Sequence, residues 1–357
     1  MNLCPHIERQ QRTMQGDDNA IISSPTQKDS RMKKPADLCA WMAALCAVCF
    51  ATSAFAQPAG YPSKPITLIV GFTPGGSSDV LSRALAARLT AQMGQSVIVE
   101  NKAGAGTTIA SAFVANATPD GYTLYFQDMT THAISAATYK KLKYDSWNDF
   151  TMVSLVASTP LMLVSSLSSG AKDVKSLVTL AKAKPDQVVY ASSGNGAITH
   201  LVGESFKQLT DTKALHAPYK GSSPATQAIM AGEVTYTFST MPPAVSQSKA
   251  GKIYGLAVTS GKRVSAAPDV PTLKESGVPL EVLLYSGLMG PKGLPPAIVE
   301  RLGMEVKKAL ASPEMKLTLA NAGAEDLHST PAEFAALMKV EAEKMAKAVQ
   351  LAGVVLD

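Results

Sequence analysis

The sequence predicts an α/β fold with two lobes joined by two crossings of the chain. Strand-like and helix-like segments alternate along most of the chain, which is typical of a parallel sheet with helices on both faces. Two apolar segments, 151–165 and 283–291, interrupt this alternation. The first is too long for one ordinary strand, and we interpret both segments as strands that pass between the lobes. A hinged cleft between two lobes follows from this organisation.

Length and the two crossings set the predicted domain boundaries. Residues 1–56 form a leader, residues 57–156 together with 283–357 form lobe I, and residues 157–282 form lobe II. The 301 residues that follow the leader are enough for two domains or two lobes.

Periodicity predicts the individual elements. ITLIVGF, residues 66–72, is a β-rich run that ends at Pro74, Gly75 and Gly76. Leucines then recur at positions 81, 85 and 89, the spacing of a helix, and Gly94 ends this pattern. Near the C-terminus, Thr330-Pro331-Ala332-Glu333 is a capping box with Pro at the first helical position.

The N-terminus has the features of a secretory signal peptide. Arg31, Lys33 and Lys34 precede the apolar run AWMAALCAVCF, and Ala54-Phe55-Ala56 follows it. The run is too short for a permanent membrane helix, so we predict export to the periplasm with cleavage after Ala56. Residues 1–31 are polar and too long for a normal n-region. We therefore expect translation to start at Met32, and a genuine long n-region is the alternative.

Cysteine positions agree with this division. Cys4, Cys39, Cys46 and Cys49 all precede the predicted cleavage site, so the mature protein would have no thiol, disulfide or thiolate metal site. A lipoprotein anchor at Cys46 or Cys49 is the alternative interpretation. It would need a Leu three residues before the Cys, where Ala43 and Cys46 stand.

The small net charge and its even distribution argue against several classes of binding partner. The predicted mature chain has 27 Lys and Arg against 23 Asp and Glu, scattered without a basic run. This balance argues against nucleic acid and against a membrane-surface patch. We expect a monomer with no cofactor and no bound metal.

Three predicted strand-to-helix turns are rich in glycine and hydroxyl groups. They are FTPGGSSD (72–79), SSGNGAITH (192–200) and YKGSSPA (219–225). Each ends where a helix begins, and a helix N-terminus presents unpaired N–H groups and about half a positive charge. Such turns can bind a carboxylate without Lys or Arg. In open parallel sheets they lie at the carboxyl ends of the strands, where ligands bind.

The composition of these turns also fits a purely structural role. Gly, Ser and Pro fill ordinary turns, and Ser77, Ser78 or Asp79 would then only cap a helix. None of the turns is a dinucleotide fingerprint, because Thr199 stands where the third Gly after Gly194 and Gly196 would be. No phosphate-binding P-loop sequence occurs.

Catalytic signatures are missing from the predicted mature chain. G-x-S-x-G does not occur, no Cys remains, and the histidines are His132, His200, His216 and His328. His200 and Glu204 share a helix face at i, i+4, but the H-E-x-x-H spacing of a zinc protease does not occur. We therefore predict a binding protein with no catalytic residues, and a periplasmic enzyme is the weaker alternative.

Several blocks together resemble a known family. They are YPSKPITLIVGFTPGGSSD, VIVENKAGAG, ATPDGYTLYF, SSGNGAITHLVGESF, APYKGSSPA, LAVTSGKRVSAAPDVPTLKESGV and GLMGPKGLPPAIVERL. In this order and spacing they resemble the Bug-type receptors, the extracytoplasmic solute-binding proteins of tripartite tricarboxylate transporters. The resemblance implies a type II periplasmic binding protein fold with an interlobe cleft. It also implies a small carboxylate ligand held by backbone groups and ordered waters.

The resemblance also assigns binding residues by position. For the first-lobe loop they are Phe72, Thr73, Gly76, Ser77, Ser78 and Asp79; for the second-lobe clamp Ser193, Asn195, Gly196, Ala197 and Thr199; and for the third loop Gly221, Ser222 and Ser223.

Two positions depart from the family pattern. Ala197 stands where a Ser is usual, and Gln227 stands where an Asp is frequent. The first change removes a hydroxyl donor, and the second removes an acceptor for an ammonium or hydroxyl group. Both changes disfavour an amino-acid ligand.

Two kinds of membrane protein are candidates to receive the ligand from such a receptor. The resemblance implies delivery of the ligand to membrane transporter subunits, and presentation to a membrane sensor kinase is the alternative. The effector domain of a transcription regulator shares the two-lobed fold, but it would carry a helix-turn-helix segment and no export signal.

Overall fold

A computed structural model describes residues 60–356. The predicted leader lies outside the described residues, together with its cysteines and the cleavage site after Ala56. Among the described residues, no helix is long and apolar enough to cross a membrane.

Three parallel strands open the described chain. The elements are β1 (Ile66–Val70), α1 (Ser77–Met93), β2 (Val97–Asn101), α2 (Thr108–Ala115), β3 (Thr123–Asp128) and α3 (Met129–Thr138). Strand β1 lies between β2 and β3, in parallel with both. The predicted end of the first helix is confirmed, because Gly94 caps α1 in the left-handed conformation, with φ 71°.

One long strand connects the two halves of the sheet. Strand β4 (Phe150–Ser166) pairs with β9 (Leu283–Pro291) as far as Pro160. From Leu161 onwards it pairs with β7 (Tyr236–Thr240) and β8 (Ile253–Val258). The strand therefore belongs to both half-sheets, and the lobe boundaries at 156/157 and 282/283 stay a prediction.

The second half-sheet is built from β-α units. Its elements are α4 (Val174–Ala183), β5 (Val189–Ser192), α5 (Ile198–Thr210), β6 (Leu215–Pro218), α6 (Ser222–Ala231), β7, α7 (Met241–Lys249) and β8. Strand β5 is parallel to both β6 and β7.

The chain then returns through β9 to the first half-sheet. The closing elements are α8 (Pro296–Leu310), α9 (Pro313–Asn321), β10 (Glu325–Asp326) and α10 (Pro331–Ala352). The sheet order is β2-β1-β3-β9-β4-β7-β5-β6. The sheet is mixed, because β9 is antiparallel to both β3 and β4.

The capping box predicted for the last long helix is confirmed. Thr330 Oγ1 accepts a hydrogen bond from the Glu333 N–H at 3.2 Å, and the Glu333 carboxylate accepts from the Thr330 N–H at 2.8 Å. The two residues thus pair donors that would otherwise have no partner in the first turn.

Each lobe has an apolar cluster of its own, and a further cluster includes residues of both lobes. In the first lobe, Leu81 and Leu85 of α1 are packed in one buried cluster with Leu302 and Val306 of α8. In the second lobe, Ile229 of α6 lies in a cluster beside α7 and β8. Each such side chain contributes about 1.5–3 kcal/mol when fully buried. Packing therefore holds fixed the strand ends and helix starts from which the site is built.

Candidate functional site

The N-termini of several helices meet between the two lobes. Helices α1 and α3 begin there from the first lobe, and α5, α6 and α7 begin there from the second. Each of these helices follows the carboxyl end of a strand or a short turn after it. In α/β sheets this edge is where ligands bind.

A small pocket lies where these helices begin. Its lining residues are Phe72, Gly76, Ser77, Ser78, Asp128, Ser193, Ile198, Thr199, Ser222, Thr240 and Leu284. Asp128 has the only charged side chain in this lining set, which lies wholly within the described residues. The pocket thus combines backbone donors, hydroxyl groups and a few apolar side chains.

The start of α1 presents an unused hydroxyl group to the pocket. Ser77 is 1% exposed, and its Oγ is buried with no hydrogen-bond partner among the described residues. Its N–H donates across the cleft to Thr240 Oγ1 at 3.4 Å. The N–H of Ser78, the next residue, belongs to the first turn of the helix, where intrahelical partners are lacking. A bound anion can accept from both Ser77 Oγ and the Ser78 N–H.

The start of α5 is held by hydroxyl groups of both lobes. Thr199 Oγ1 accepts from the Ser193 N–H at 2.7 Å and lies 2.8 Å from Ser193 Oγ, which fixes the preceding loop. The Ile198 N–H donates across the cleft to Thr131 Oγ1 at 3.2 Å. The N–H of Thr199, in the same first turn, is left for a bound group.

The starts of α6 and α7 are linked to each other. The Thr240 N–H donates to Ser222 Oγ at 3.4 Å, and Thr240 Oγ1 accepts from Ser77. The hydroxyl groups at these two helix starts are therefore engaged with protein atoms. The Ser222 N–H, at the first position of α6, faces the same pocket.

Asp128 ends β3 and caps α3. Its Oδ1 accepts from the Thr131 N–H at 3.0 Å, and its Oδ2 accepts from Thr131 Oγ1 at 2.7 Å. Burial raises the pKa of this carboxyl to about 6, against the opposing effect of the hydrogen bonds from Thr131 and Thr130. Asp128 is therefore a buried carboxyl inside the pocket, whose ionisation is opposed by burial and favoured by its hydrogen bonds.

The chain matches a family by sequence. Residues 81–354 match the family described as tripartite tricarboxylate transporter family receptor. This match covers more than half of the chain. The chain belongs to this receptor family.

Solved structures of similar proteins agree with the receptor's fold. The periplasmic binding protein BugD is 32% identical, with 83% of this chain and 99% of that chain covered and a TM-score of 0.79. R. palustris Rpa4515 with adipate is 33% identical, with the same coverage of 83% and 99% and a TM-score of 0.80. MatC from Rhodopseudomonas palustris with bound malate is 30% identical, with 81% and 99% covered and a TM-score of 0.76.

The predicted fold and resemblance are therefore confirmed. The receptor has the two-lobed α/β fold of periplasmic binding proteins, and it is similar to Bug-type receptors.

Half of the residues assigned by resemblance line the pocket of the receptor. These are Phe72, Gly76, Ser77, Ser78, Ser193, Thr199 and Ser222. The others lie outside the lining: Thr73, Asp79, Asn195, Gly196, Ala197, Gly221 and Ser223.

Several of the residues outside the lining hold the two lobes against each other. The Thr73 N–H donates to Lys220 O at 3.4 Å, and a Cβ placed on Gly221 would collide with Thr73 Oγ1. A Cβ on Gly75 would lie 2.7 Å from Ser223 Oγ. Glycine at these two positions is therefore explained by the close approach of the lobes rather than by that of a ligand.

Asp79 braces the first-lobe loop. Its carboxylate accepts from the Gly75 N–H at 3.0 Å, from Arg83 Nε at 3.0 Å and from Asn101 Nδ2 at 3.0 Å. Burial acts to raise the pKa of Asp79, but the hydrogen bonds from Arg83, Gly75 and Asn101 outweigh it and lower the pKa overall. The negative charge of Asp79 is thus compensated within the loop.

The central part of the second-lobe clamp faces other protein atoms. The Ala197 N–H donates to Gly194 O at 3.1 Å, and Ala197 is fully buried. A Cβ on Gly196, whose φ is +73°, would lie 2.9 Å from Tyr139 Cε2. Asn195 O accepts from Tyr139 Oη at 3.2 Å. These groups fix the loop against the first lobe.

The departure at position 227 concerns a different place on the receptor. Gln227 lines a separate surface cleft together with Ser223, Met230 and Gln247. Gln227 is not among the lining residues of the interlobe pocket. Its effect on the choice of ligand stays a prediction.

The histidines lie outside the pocket lining. His200 and His216 stack with ring centroids 4.1 Å apart, and Glu204 is engaged by Lys207 at 2.8 Å. His132 is 1% exposed and packs among aromatic rings. Among residues 60–356, no group of three or more His, Cys, Asp or Glu side chains is placed to hold a metal ion.

Four lining residues are not among those assigned by resemblance: Asp128, Ile198, Thr240 and Leu284. Asp128 and Thr240 are the N-caps of α3 and α7, two helices that the periodicity analysis did not predict. The signal for α7 was present, since Thr240 and Met241 are followed by two prolines that favour the first turn of a helix.

Proposed function

We propose that this receptor captures a small organic carboxylate in the interlobe pocket and delivers it to the membrane subunits of a tripartite tricarboxylate transporter. One observation supports this most. The N-termini of α1, α5 and α6, which come from both lobes, meet at the pocket. The buried hydroxyl group of Ser77, at the start of α1, has no partner among the described residues. The similar R. palustris proteins described with adipate and with malate agree with a carboxylate ligand.

The carboxylate would be held by groups without formal positive charge. Its oxygens accept from Ser77 Oγ and from the N–H groups of Ser78, Thr199 and Ser222. Each helix N-terminus adds about half a positive charge, and hydrogen bonds to a charged acceptor contribute roughly 1.5–3 kcal/mol each. Phe72, Ile198 and Leu284 give a short carbon skeleton an apolar surface.

The proposal is tested by ligand identification. Native mass spectrometry of the freshly purified mature protein would reveal the mass of a retained carboxylate. A thermal-shift screen of mono-, di- and tricarboxylates then measures binding, since a ligand at 100 times its Kd stabilises the folded state by about 2.7 kcal/mol. A protein that no carboxylate stabilises would contradict the proposal.

We infer that the receptor does not transform its ligand. The described residues that line the pocket include no Cys, His, Lys or Arg, so an activated nucleophile with a neighbouring base is not formed there. Incubation with a bound carboxylate should return it unchanged by mass spectrometry. Steady turnover that disappears when Asp128 is replaced would mean that the protein is an enzyme.

We further propose that the chain is exported to the periplasm and cleaved after Ala56. The charged residues before the apolar run and Ala54-Phe55-Ala56 after it support this. N-terminal analysis of the periplasmic fraction should find Gln57 or its cyclised form. Intact leader on protein recovered from the cytoplasm would contradict the proposal.

A further inference from the structure

Asp128 is an unusual residue to find in a pocket for an anion. It is 1% exposed, and its side chain lines the pocket where the helices of both lobes begin. The lining residues, all within the described chain, include no Lys, Arg or His to compensate its charge. The N-terminus of α3, which Asp128 caps, compensates part of this charge, and a donor on the ligand would compensate more of it.

The orientation of Asp128 is fixed by the protein. Thr131 donates to both of its oxygens, through the backbone N–H and through Oγ1. Thr131 Oγ1 in turn accepts from Ile198 of the second lobe. An ionised carboxylate has about four acceptor sites, and the bonds from Thr131 and Thr130 do not use all of them.

A second unused polar group lies beside Asp128. Strand β3 pairs antiparallel with β9, and Asp128 stands directly opposite Ser286. Directly opposite residues have Cβ atoms about 4.5–5.5 Å apart on the same face of the sheet. Ser286 Oγ is buried with no hydrogen-bond partner among the described residues. Asp128, which lines the pocket, therefore has spare acceptor capacity, and its neighbour Ser286, which does not line the pocket, has an unused hydroxyl group.

The two sides of the pocket have opposite electrostatic character. The starts of α1, α5 and α6 favour a negative group, because helix N-termini carry partial positive charge. Asp128 disfavours a second negative group, because two like charges within a few ångströms repel strongly where water is excluded. The complementary ligand has its carboxylate at the three helix starts and a hydrogen-bond donor at Asp128.

We propose that Asp128 is the specificity-determining residue of the pocket and selects a carboxylate with a hydroxyl or ammonium group next to the carboxylate carbon. This proposal rests on the carboxylate-binding function proposed above. It narrows the ligand class to hydroxy acids and amino acids, in contrast to plain mono- or dicarboxylates.

Matched ligand series test the proposal at pH 7.5 by isothermal titration calorimetry. The first series is propionate, L-lactate and L-alanine; the second is succinate, L-malate and L-aspartate; the third is glutarate, L-2-hydroxyglutarate and L-glutamate. Within a series the skeleton is constant and only the donor changes. We expect the wild-type protein to bind a donor-bearing member at least about tenfold more tightly than the plain member. The hydroxyl and ammonium members identify which donor is preferred.

Asp128→Asn is the decisive variant. An amide keeps the helix-capping oxygen but removes the negative charge and presents an N–H donor. We expect the preference for the donor-bearing member to fall below about threefold, with tighter binding of the plain carboxylate. Asp173→Asn is the matched control, because Asp173 caps α4 through the Ser176 N–H at 2.7 Å outside the pocket. The control should keep the wild-type preference.

The outcomes separate this proposal from the general function. Equal binding of plain and donor-bearing members by the wild-type protein overturns the role of Asp128, and so does an unchanged preference in Asp128→Asn. Either result leaves the carboxylate receptor intact. Failure of every carboxylate to bind the wild-type protein contradicts the general function instead. If Asp128→Asn does not fold, Asp128→Ser retains a capping hydroxyl and should lose the preference in the same way; an unchanged preference in Asp128→Ser overturns the role of Asp128.

Discussion

Single hydroxyl groups determine how the interlobe pocket can receive an anion. Ser77 and Ser222 both stand at the first position of a helix, yet their side chains differ in availability. Ser222 Oγ already accepts from Thr240, whereas Ser77 Oγ has no partner among residues 60–356. An unpaired buried hydroxyl is costly, and a ligand that pairs with it removes this cost on binding.

Replacing Ser77 by Ala should therefore weaken ligand binding without destabilising the free protein. A hydrogen bond to a charged group is worth roughly 1.5–3 kcal/mol, so we expect the Kd of the native carboxylate to rise about tenfold or more. The melting temperature of the free protein should stay the same or rise. Calorimetry and thermal unfolding measure both effects, with Ser265→Ala as control because Ser265 is exposed in the loop after β8. An unchanged Kd would mean that Ser77 Oγ does not contact the ligand.

His132 makes the stability of the first lobe depend on pH. Burial lowers the pKa of His132 to about 4, against the opposing effect of its bond to Ser146 O. In the unfolded chain an unperturbed His has a pKa of about 6.5. Between these values the unfolded state binds more protons than the folded state. The free energy of unfolding therefore decreases as the pH falls from about 6.5 to about 4.

His132→Phe should reduce this dependence on pH. Phe preserves the packing against Trp147 and Phe150 but cannot be protonated. We expect a lower free energy of unfolding at pH 7.5, because Ser146 O loses its partner, and a shallower decrease between pH 6.5 and pH 4.5. Urea unfolding at several pH values measures both. Equal slopes in the two proteins would show that His132 does not remain neutral in the folded state.

At the scale of elements, the sequence predicted helix α1 and missed several others, of which the buried α3 matters most for the site. The leucines of α1 at positions 81, 85 and 89 recur on one face of the helix, so the helix was recognised from the sequence. Helix α3 is buried on nearly every side: residues Met129–Ser135 and Thr138 are all buried. It follows β3 without a Gly or Pro between them. A helix without a solvent-exposed face lacks the periodic alternation of apolar and polar residues by which a helix is recognised in a sequence. Because α3 was missed, its N-cap residue, Asp128, was missed as well.

The glycine-rich loops were recognised, but their contacts were not. The sequence marked Gly196 and Gly221 as places where a ligand approaches. In the structure the Cβ of either residue would meet the opposite lobe. A glycine-rich composition indicates that the backbone of a loop closely approaches another group. Only the three-dimensional structure shows whether that group is a ligand or the opposite lobe. The same holds for Ala197, whose N–H is engaged by Gly194 within its own loop.

Gly221→Ala should impair closure of the cleft. Its Cβ would collide with Thr73 Oγ1, and the φ of +154° adds backbone strain. We expect weaker ligand binding with each lobe still folded, measured by calorimetry and circular dichroism. Adding Thr73→Ala removes the colliding hydroxyl, which has no partner among the described residues, and should restore part of the affinity. No recovery in the double variant would assign the loss to backbone strain alone.

At the scale of the whole molecule, the resemblance of ordered sequence blocks predicted the receptor fold. The mixed character of the sheet was not predicted, because β9 returns from a distant part of the chain to lie between β3 and β4. Such long-range pairing leaves no local pattern in the sequence. Strands β4 and β9 lie side by side where the chain passes between the half-sheets. Bending at this strand pair would move one lobe relative to the other.

Ligand binding should therefore change the overall dimensions of the receptor. Hydrogen bonds cross the cleft from Ser77 to Thr240 and from Ile198 to Thr131, and a ligand that bridges the same helix starts favours this closed arrangement. A compact chain of this size has a radius of gyration of about 19 Å. Small-angle scattering of the ligand-free protein should give a larger value, which decreases towards the compact one as ligand is added. Gly221→Ala should stay extended at the same ligand concentration. A scattering curve that is unchanged by a ligand known to bind would mean that the lobes are already closed in the free protein, and that the pocket fills without movement of the hinge.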